Sequence, residues 1–213
     1  MEKEIRTLQI DTELRANKDN RTVEGYAIVF NSESRDLGGF VEVIRPEAID
    51  GVLEESDILA LLNHEISRGV LARAEKLTGS LNLEIRDKGV YYSFKAPKTA
   101  LGEETIEGVL RGDIKGTSFG FTVAPNGDKI EKRADGSFLR TIKQFDKIYD
   151  ISPVYRAAYS DTTIALRSLE QFKIDNPEPN PQGANTPGKD LEPPELTNAE
   201  LALRARNERH KTK

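Results

Sequence analysis

The N-terminal part of the chain alternates hydrophobic and polar residues. Ile5, Leu8 and Ile10 are separated by polar residues, and alternation resumes over residues 21–30 after a polar stretch at 17–20. A period of two is typical of β-strands, because successive side chains on a strand point to opposite faces. The pattern therefore predicts a hairpin that turns at residues 17–20.

Further strands are predicted along the next 130 residues. Segments 81–85 and 90–94 alternate on either side of Asp87-Lys88-Gly89, a connection typical of a hairpin. The other β-prone stretches are a short strand at 40–44, an apolar run at 57–64, a segment at 69–74 and a long strand from Phe138 to Val154. Turns are predicted at 125–128 and 134–137, where Asn, Asp and Gly cluster.

Two helices are predicted between these strands. One begins at Pro46 and runs to about Glu55, since proline suits a first helical turn. The other is capped by Thr99 and runs to about Gly112. Strands dominate without a βαβ rhythm, which predicts a mostly β chain with helices (α+β), in the form of a small, closed, antiparallel β-barrel surrounded by helices.

The composition changes after about Phe172. Residues 176–194 contain most of the ten prolines, and the chain as a whole is only 37% hydrophobic. A segment so poor in apolar residues cannot bury enough surface to order itself. We expect a barrel domain over 1–172, a proline-rich flexible linker over 173–195, and a short helical or disordered tail over 196–213.

Charge and composition exclude several classes of function. The net charge of −5 gives no general attraction to nucleic acids or anionic membranes, so neither is an expected partner. The absence of cysteine excludes disulfides, thiol nucleophiles and cysteine-ligated zinc. We expect no cofactor and no metal. Residues 1–6 lack the apolar core of a signal peptide, which predicts a cytosolic protein.

The candidate nucleophile is Ser118, within Gly116-Thr117-Ser118-Phe119-Gly120-Phe121. The pattern puts this serine where a helix gives way to a strand, with its hydroxyl open to substrate. Gly116 and Gly120 allow another segment to approach the backbone closely.

A serine nucleophile needs a base, usually an imidazole. The chain has two histidines, and His210 lies in a charged terminal segment, which leaves His64 as the candidate. An acid that orients the imidazole would complete a triad, and Asp150, at a predicted strand end, is the favoured choice. Asp146, Asp161 and Glu65 remain alternatives on spacing alone.

The order of histidine, serine and acid differs from that of the familiar serine hydrolases. It accompanies five motifs that together resemble one family, the prohead maturation proteases of HK97-type tailed phages, relatives of the herpesvirus assemblins. The motifs are Glu24-Gly25-Tyr26-Ala27-Ile28-Val29-Phe30, Ile44-Arg45-Pro46-Glu47-Ala48-Ile49, Leu61-Leu62-Asn63-His64-Glu65, Gly112-Asp113-Ile114-Lys115-Gly116-Thr117-Ser118-Phe119-Gly120-Phe121, and Tyr149-Asp150-Ile151-Ser152-Pro153-Val154 with Ala158-Tyr159-Ser160-Asp161-Thr162.

The resemblance implies roles for three residues and a setting for the reaction. It implies that Ser118 is the nucleophile, His64 the base and Asp150 the acid, where phage relatives commonly carry glutamate. It also implies an assemblin-like barrel that acts in the bacterial cytoplasm, inside the assembling procapsid. The implied substrates are scaffolding protein, the leading segment of the major capsid protein and the protease itself, and a homodimer or higher oligomer is expected.

Two questions stay open at the level of sequence. Backbone N–H groups at Gly116 and Phe119, with Arg156, are candidates for the oxyanion site. The alternative function is a catalytically silent capsid-assembly or scaffold-binding module, which would use the proline-rich linker and terminal segment for docking.

Overall fold

The computed structural model describes residues 3–8, 13–155 and 163–177, all within one unit, Met1–Pro177. The strands are β1 (Glu4–Leu8), β2 (Arg15–Asn17), β3 (Thr22–Val29), β4 (Phe40–Ile44), β5 (Asp57–Ala60), β6 (Ala72–Glu75), β7 (Thr78–Gly79), β8 (Leu81–Arg86), β9 (Gly89–Lys95), β10 (Gly116–Val123), β11 (Asp128–Lys132), β12 (Phe138–Ile142) and β13 (Phe145–Val154). The α-helices are α1 (Val52–Glu55), α2 (Ala100–Arg111) and α3 (Thr163–Asp175), and 3-10 turns span Pro46–Ile49 and Ile66–Arg68.

The strands form three sheets. Their orders are β1-β10-β13-β5-β6-β7, β11-β12-β4 and β2-β3-β9-β8. The mostly β class with a few helices is thus confirmed, but within the described residues these ladders do not join into a closed barrel. Most of the strand pairs are antiparallel, whereas β12 pairs with β4 and β13 with β5 in parallel.

A single large apolar cluster lies between the sheets and the helices. The aromatic rings of Phe119, Phe121 and Phe145 contact one another near its centre, with centroids 4.9–6.1 Å apart. Phe119 and Phe121 come from β10, and each is fully buried. Burying such rings stabilises the fold by about 2 kcal/mol or more each, which anchors β10 in the apolar core.

Several predicted elements are present. The predicted turn at 17–20 joins β2 to β3, but the alternating residues 4–8 form β1, which pairs with β10 instead. The predicted hairpin of β8 with β9 is present. Helix α2 begins after Thr99, whose hydroxyl oxygen accepts a hydrogen bond from the Gly102 N–H, and Gly112 ends the helix in the left-handed conformation. The helix predicted over 46–55 is divided by Gly51 (φ 73°) into a 3-10 turn and the short α1.

Other boundaries differ from the prediction. Strand β10 begins at Gly116, so Ser118 lies inside a strand rather than where helix gives way to strand. The long strand predicted from Phe138 is two strands, because the chain changes sheets at Lys143 and Gln144. The strand predicted over 57–64 ends at Ala60, and Asn63 and His64 lie in the loop that follows it.

The C-terminal predictions fall mostly outside the described residues. Helix α3 continues past Phe172 to Asp175. The predicted linker from 178 onward and the predicted tail over 196–213 lie outside the described part. Among the helices that the structure describes, none has the length and hydropathy needed to cross a bilayer.

Candidate active site

Ser118 is held by the middle of β10. This strand pairs with β1 on one side and β13 on the other, and Ser118 lies opposite Thr7 and Ser152. Paired residues in a sheet share a face, so Thr7, Ser118 and Ser152 point the same way. Phe119 and Phe121 occupy the opposite face and anchor the strand in the core. The alternation thereby aims the Ser118 hydroxyl away from the aromatic core.

His64 reaches the same face from a strained loop. Asn63 and His64 both have positive φ, at 53° and 62°, a conformation that costs non-glycine residues about 1–3 kcal/mol each. Hydrogen bonds to β13 hold the loop, since the N–H of Asn63 donates to Pro153 O and the N–H of His64 donates to Ser152 Oγ at 3.3 Å. The Asn63 side-chain oxygen also accepts from the Tyr155 N–H. The strain persists because β13 fixes the loop.

The structure brings His64, Ser118 and Asp150 together. His64 Nε2 lies 2.7 Å from Ser118 Oγ, and His64 Nδ1 hydrogen-bonds to Asp150 Oδ2. A carboxylate at Nδ1 favours the tautomer with its proton on that nitrogen, which leaves Nε2 as a proton acceptor facing the hydroxyl. The arrangement can therefore withdraw the Ser118 proton and stabilise the imidazolium that results.

Asp150 is poised to remain ionised. Burial by itself would raise the pKa of this carboxyl, but the hydrogen bonds and charges of His64 and Lys3 outweigh it and hold the pKa below its ordinary value. Lys3 donates to Asp150 Oδ1, the oxygen that His64 does not use. The carboxylate thus has a cationic or polar partner at each oxygen.

Sequence reasoning missed the parts played by Ser152 and Lys3. The fully buried Ser152 hydroxyl donates to Asp150 Oδ2 at 2.9 Å and accepts from the His64 N–H, so it links the acid to the loop. Ser152 lies two residues after Asp150, and that spacing on a strand was the available signal. For Lys3, 147 residues away along the chain, the sequence offers no comparable signal.

Ser118 is covered by β1. It has 0% exposure, in contrast with the expectation of an open hydroxyl. Thr7 Oγ1 donates to Ser118 Oγ at 3.0 Å, and Ser118 Oγ donates to Arg6 O at 3.0 Å. A serine hydroxyl has one proton, so the Arg6 carbonyl and His64 Nε2 compete for it. Strand β1 therefore contacts the Ser118 hydroxyl through both its backbone and a side chain.

The two glycines make this close approach possible, as predicted. A Cβ at Gly120 would lie 2.7 Å from Asp150 Oδ1 and 2.2 Å from Lys3 Cε. One at Gly116 would lie 3.1 Å from the Leu8 carbonyl oxygen. The missing side chains leave room for the Asp150 carboxylate at one end and for β1 at the other.

The competing acids lie elsewhere or outside the description. Asp146 accepts a hydrogen bond from Thr122, and Glu65 is 3.9 Å from Arg68. Asp161 and Arg156 fall outside the described residues. Phe119 pairs across to Arg6 and Ile151, and Gly116 to Val154, so the proposed oxyanion donors belong to an assembled sheet. Their oxyanion role stays a prediction.

The far face of β1 is bound by a buried ionic cluster. Arg6 donates twice to Glu42, at 2.8 and 2.9 Å, and Arg140 donates twice to Glu4, at 2.7 and 2.9 Å. Arg140 also contacts Glu42 at 3.0 Å and Asp128 at 2.6 Å. Within the described part of the chain, no group of three or more His, Asp or Glu side chains is arranged to hold a metal ion.

Comparison with known proteins places the chain in a family. A family model described as "Caudovirus prohead serine protease" matches residues 8–175, well over half of the sequence. This chain is a caudovirus prohead serine protease by family. The family is one of proteases, which agrees with a serine, a histidine and an acid in contact. The match begins at residue 8, so most of β1 precedes it.

One solved structure is also similar to this prohead protease. It is the bacteriophage T4 capsid assembly protease, gp21, with 11% sequence identity, a TM-score of 0.41, and coverage of 72% of this chain and 97% of the other. No match was found among curated proteins. The family assignment rests on the model match alone.

Proposed function

We propose that this member of the family is a serine endopeptidase with Ser118 as nucleophile, His64 as general base and acid, and Asp150 as the acid that orients the imidazole. The observation that carries the proposal is the double contact of His64. One ring nitrogen faces Ser118 Oγ at 2.7 Å and the other faces the Asp150 carboxylate.

The chemistry follows from these contacts. His64 Nε2 takes the hydroxyl proton as Ser118 Oγ adds to a peptide carbonyl carbon. The imidazolium, stabilised by the ionised Asp150, then gives the proton to the departing amine, which leaves an acyl-enzyme. Water, activated by His64, releases the new carboxylic acid and restores the hydroxyl. Backbone N–H groups of β10 are the proposed oxyanion donors, in a sheet that has released β1.

The biological setting belongs to the same proposal. An HK97-type, assemblin-like prohead protease would act inside the assembling procapsid in the bacterial cytoplasm. It would cut scaffolding protein, the scaffolding segment of the major capsid protein and itself. Confinement would raise its local concentration, which favours a dimer or higher oligomer and intermolecular cleavage.

A second candidate function is favoured by the burial of Ser118. A hydroxyl with 0% exposure under β1 fits a catalytically silent assembly or scaffold-binding module. A fluorophosphonate probe separates the two functions, because it forms a bond to a serine only when an adjacent base activates the hydroxyl. Labelling of Ser118 supports the peptidase, and unreactive Ser118 at all concentrations supports the silent module.

The decisive test follows the mass of the full chain. The parent protein is incubated at increasing concentration and its fragments are identified by mass spectrometry, beside Ser118→Ala and His64→Ala. We expect cleavage in the parent and a loss of about 10⁴-fold or more in each variant, as for other triads. Ser118→Ala protein that is cut as fast as the parent would show that another group is the nucleophile.

A further inference from the structure

Strand β1 lies on the candidate site in the manner of a bound peptide. It is extended and antiparallel to β10, and its register sets Thr7 opposite Ser118, with Leu8 and Glu4 at the ends of the ladder. Proteins that recognise extended peptides commonly add them as a strand to a sheet edge, where main-chain bonds give affinity and alternate side chains give specificity. With β1 removed, β10 would be such an edge.

The position of the backbone along this strand is defined. The Arg6 carbonyl oxygen is 3.0 Å from Ser118 Oγ, so the peptide bond between Arg6 and Thr7 is the one beside the candidate nucleophile. Lys3 and Thr7 contact the site face of the sheet, through Asp150 and Ser118. Glu4 and Arg6 point to the other face, as the alternation of a strand requires.

The receptor for Arg6 is Glu42, on β4. Both N–H···O bonds of the pair are present, at 2.8 and 2.9 Å, and Glu42 and Arg6 are 4% exposed. The Arg6 guanidinium also lies 5.4 Å from the centre of the Phe121 ring. A planar, bidentate and buried partner of this kind selects a guanidinium over a neutral side chain.

The receptor for Glu4 is Arg140, on β12. It donates two bonds to the Glu4 carboxylate, at 2.7 and 2.9 Å, and both residues are 2% exposed. Burial would raise the pKa of the Glu4 carboxyl, but Arg140 and Arg6 hold the pKa below its ordinary value. Arg140 is paired beside Glu42 across the parallel ladder, and Asp128 fixes its Nε. Glu4 also accepts a hydrogen bond from Arg6 of its own strand, so Glu4, Arg6, Glu42 and Arg140 form one connected cluster.

We propose that the groove filled by β1 is the substrate groove of the protease, and that Glu42 and Arg140 are its specificity residues. The substrate class is an extended segment with an acidic side chain two residues before a basic one, cleaved after the basic residue. This inference rests on the proposed function. Ser118 Oγ bonds to the carbonyl carbon of the basic residue, and the peptide bond to the next residue breaks. The amine of that next residue leaves with the proton that His64 carried. Water then releases the new C-terminal carboxylate.

Burial explains why other segments would be refused. A segment with reversed charges would set like charges against Glu42 and Arg140 in a site that water does not reach. A neutral segment would leave buried hydrogen-bonding groups without partners. Sites built this way discriminate far more strongly than apolar pockets do. Strand β1 carries the matching Glu4 and Arg6, and therefore competes with substrate for the same groove.

The test uses a synthetic peptide, Glu-Lys-Glu-Ile-Arg-Thr-Leu-Gln, the sequence of residues 2–9. In one matched peptide the residues at the positions of Glu4 and Arg6 are exchanged. In another, the arginine is replaced by glutamine. The unmodified full chain is used to measure kcat/KM, and the full-length Ser118→Ala variant is used to measure binding by fluorescence anisotropy. Strand β1 competes equally with every peptide, so the ratios of kcat/KM and of affinity between peptides measure the preference of the groove.

We expect the exchanged peptide to be cleaved, and to bind, at least tenfold less well than the parent peptide. Cleavage should fall at the bond after arginine. In Glu42→Gln protein, the preference for arginine over glutamine should shrink severalfold, whereas Glu47→Gln, an exposed glutamate on the Pro46–Ile49 turn, should leave it unchanged. Changing the protein and the peptide separately and together forms a double-mutant cycle, which isolates the contact between Glu42 and arginine from any general loss of stability.

The outcomes separate this inference from the function on which it rests. Equal cleavage of parent and exchanged peptides, with Ser118 labelled by a fluorophosphonate, overturns the groove and keeps the peptidase. Selective binding to Ser118→Ala protein, without labelling or cleavage in the parent, keeps the groove and overturns the peptidase. Equal binding of the parent and exchanged peptides to Ser118→Ala protein overturns the groove.

Discussion

The hydroxyl of Ser118 donates to the carbonyl oxygen of Arg6 at 3.0 Å. That single bond connects the candidate nucleophile to a strand 112 residues earlier in the chain. Because Ser118 has one proton, the Arg6 carbonyl oxygen and His64 Nε2 compete for it. If β1 competes with substrate, as proposed above, its displacement should expose Ser118 and leave the proton to His64.

A disulfide that fastens β1 should abolish activity. Leu8 and Thr117 are directly opposite in the ladder, at a separation typical of antiparallel partners that suits a disulfide. The chain has no other cysteine, so Leu8→Cys with Thr117→Cys can form only this intramolecular bond. We expect oxidised protein to lose peptidase activity and fluorophosphonate labelling at least tenfold, and reduction to restore both.

Single cysteine variants control for the loss of the native side chains, particularly the contact of Thr117 with the Tyr92 hydroxyl. Their activity should not respond to oxidant. If the oxidised double variant is as active as its reduced form, substrate reaches Ser118 with β1 in place.

Loss of the Ser152 hydroxyl should lower catalytic activity. Ser152 donates to Asp150 Oδ2 and accepts from the His64 N–H, so Ser152→Ala removes the link between the acid and the loop that carries His64. We expect kcat to fall about tenfold, the cost of one hydrogen bond to a charged group. Steady-state kinetics is the measurement, and Ser152→Thr, which retains a hydroxyl, should keep more activity than Ser152→Ala.

The strained loop should tolerate glycine better than alanine at Asn63. Alanine disfavours the left-handed conformation by about 1–2 kcal/mol, and it also removes the side-chain acceptor for the Tyr155 N–H. We expect Asn63→Ala to lower kcat as His64 loses its position, with a modest fall in thermal stability. Asn63→Gly lacks the same hydrogen bond but accepts φ of 53°, so it should retain more activity. Equal losses would exclude backbone strain as the cause.

Stability should fall in acid because Glu4 and Asp150 have lowered pKa values. A carboxyl with a lowered folded-state pKa stabilises the fold above its unfolded-state pKa, and that stability disappears as pH falls through the folded value. The loss should begin near pH 4.5, the ordinary value for Glu4, and continue below 3.8, that for Asp150. Thermal unfolding at a series of pH values measures it.

Glu4→Gln provides the matched comparison. At neutral pH it should be less stable than the parent, because Arg140 loses its paired carboxylate in a buried cluster. Its stability should also depend less steeply on pH below 4.5. A variant whose acid limb is as steep as that of the parent would show that Glu4 does not contribute to the acid transition.

Local sequence determined much of the secondary structure. The alternation around residues 17–20 and 87–89, and the cap at Thr99, specify hairpins and a helix start through contacts a few residues apart. The candidate serine and histidine also followed from sequence, because the chain has two histidines and places Gly116 and Gly120 around Ser118. These are choices that composition and near neighbours constrain.

Tertiary structure decided how those pieces meet. Strands β5 and β4 pair in parallel with β13 and β12, a choice of long-range partners that alternation does not encode. The tertiary structure places the carboxylate of Asp150, rather than that of another acid, beside His64. It also brings Lys3 and Arg6 into contact with residues more than 100 positions away. The alternation of side chains along a strand determines which face of the sheet a residue occupies. The residue that it contacts on that face depends on how the whole chain packs.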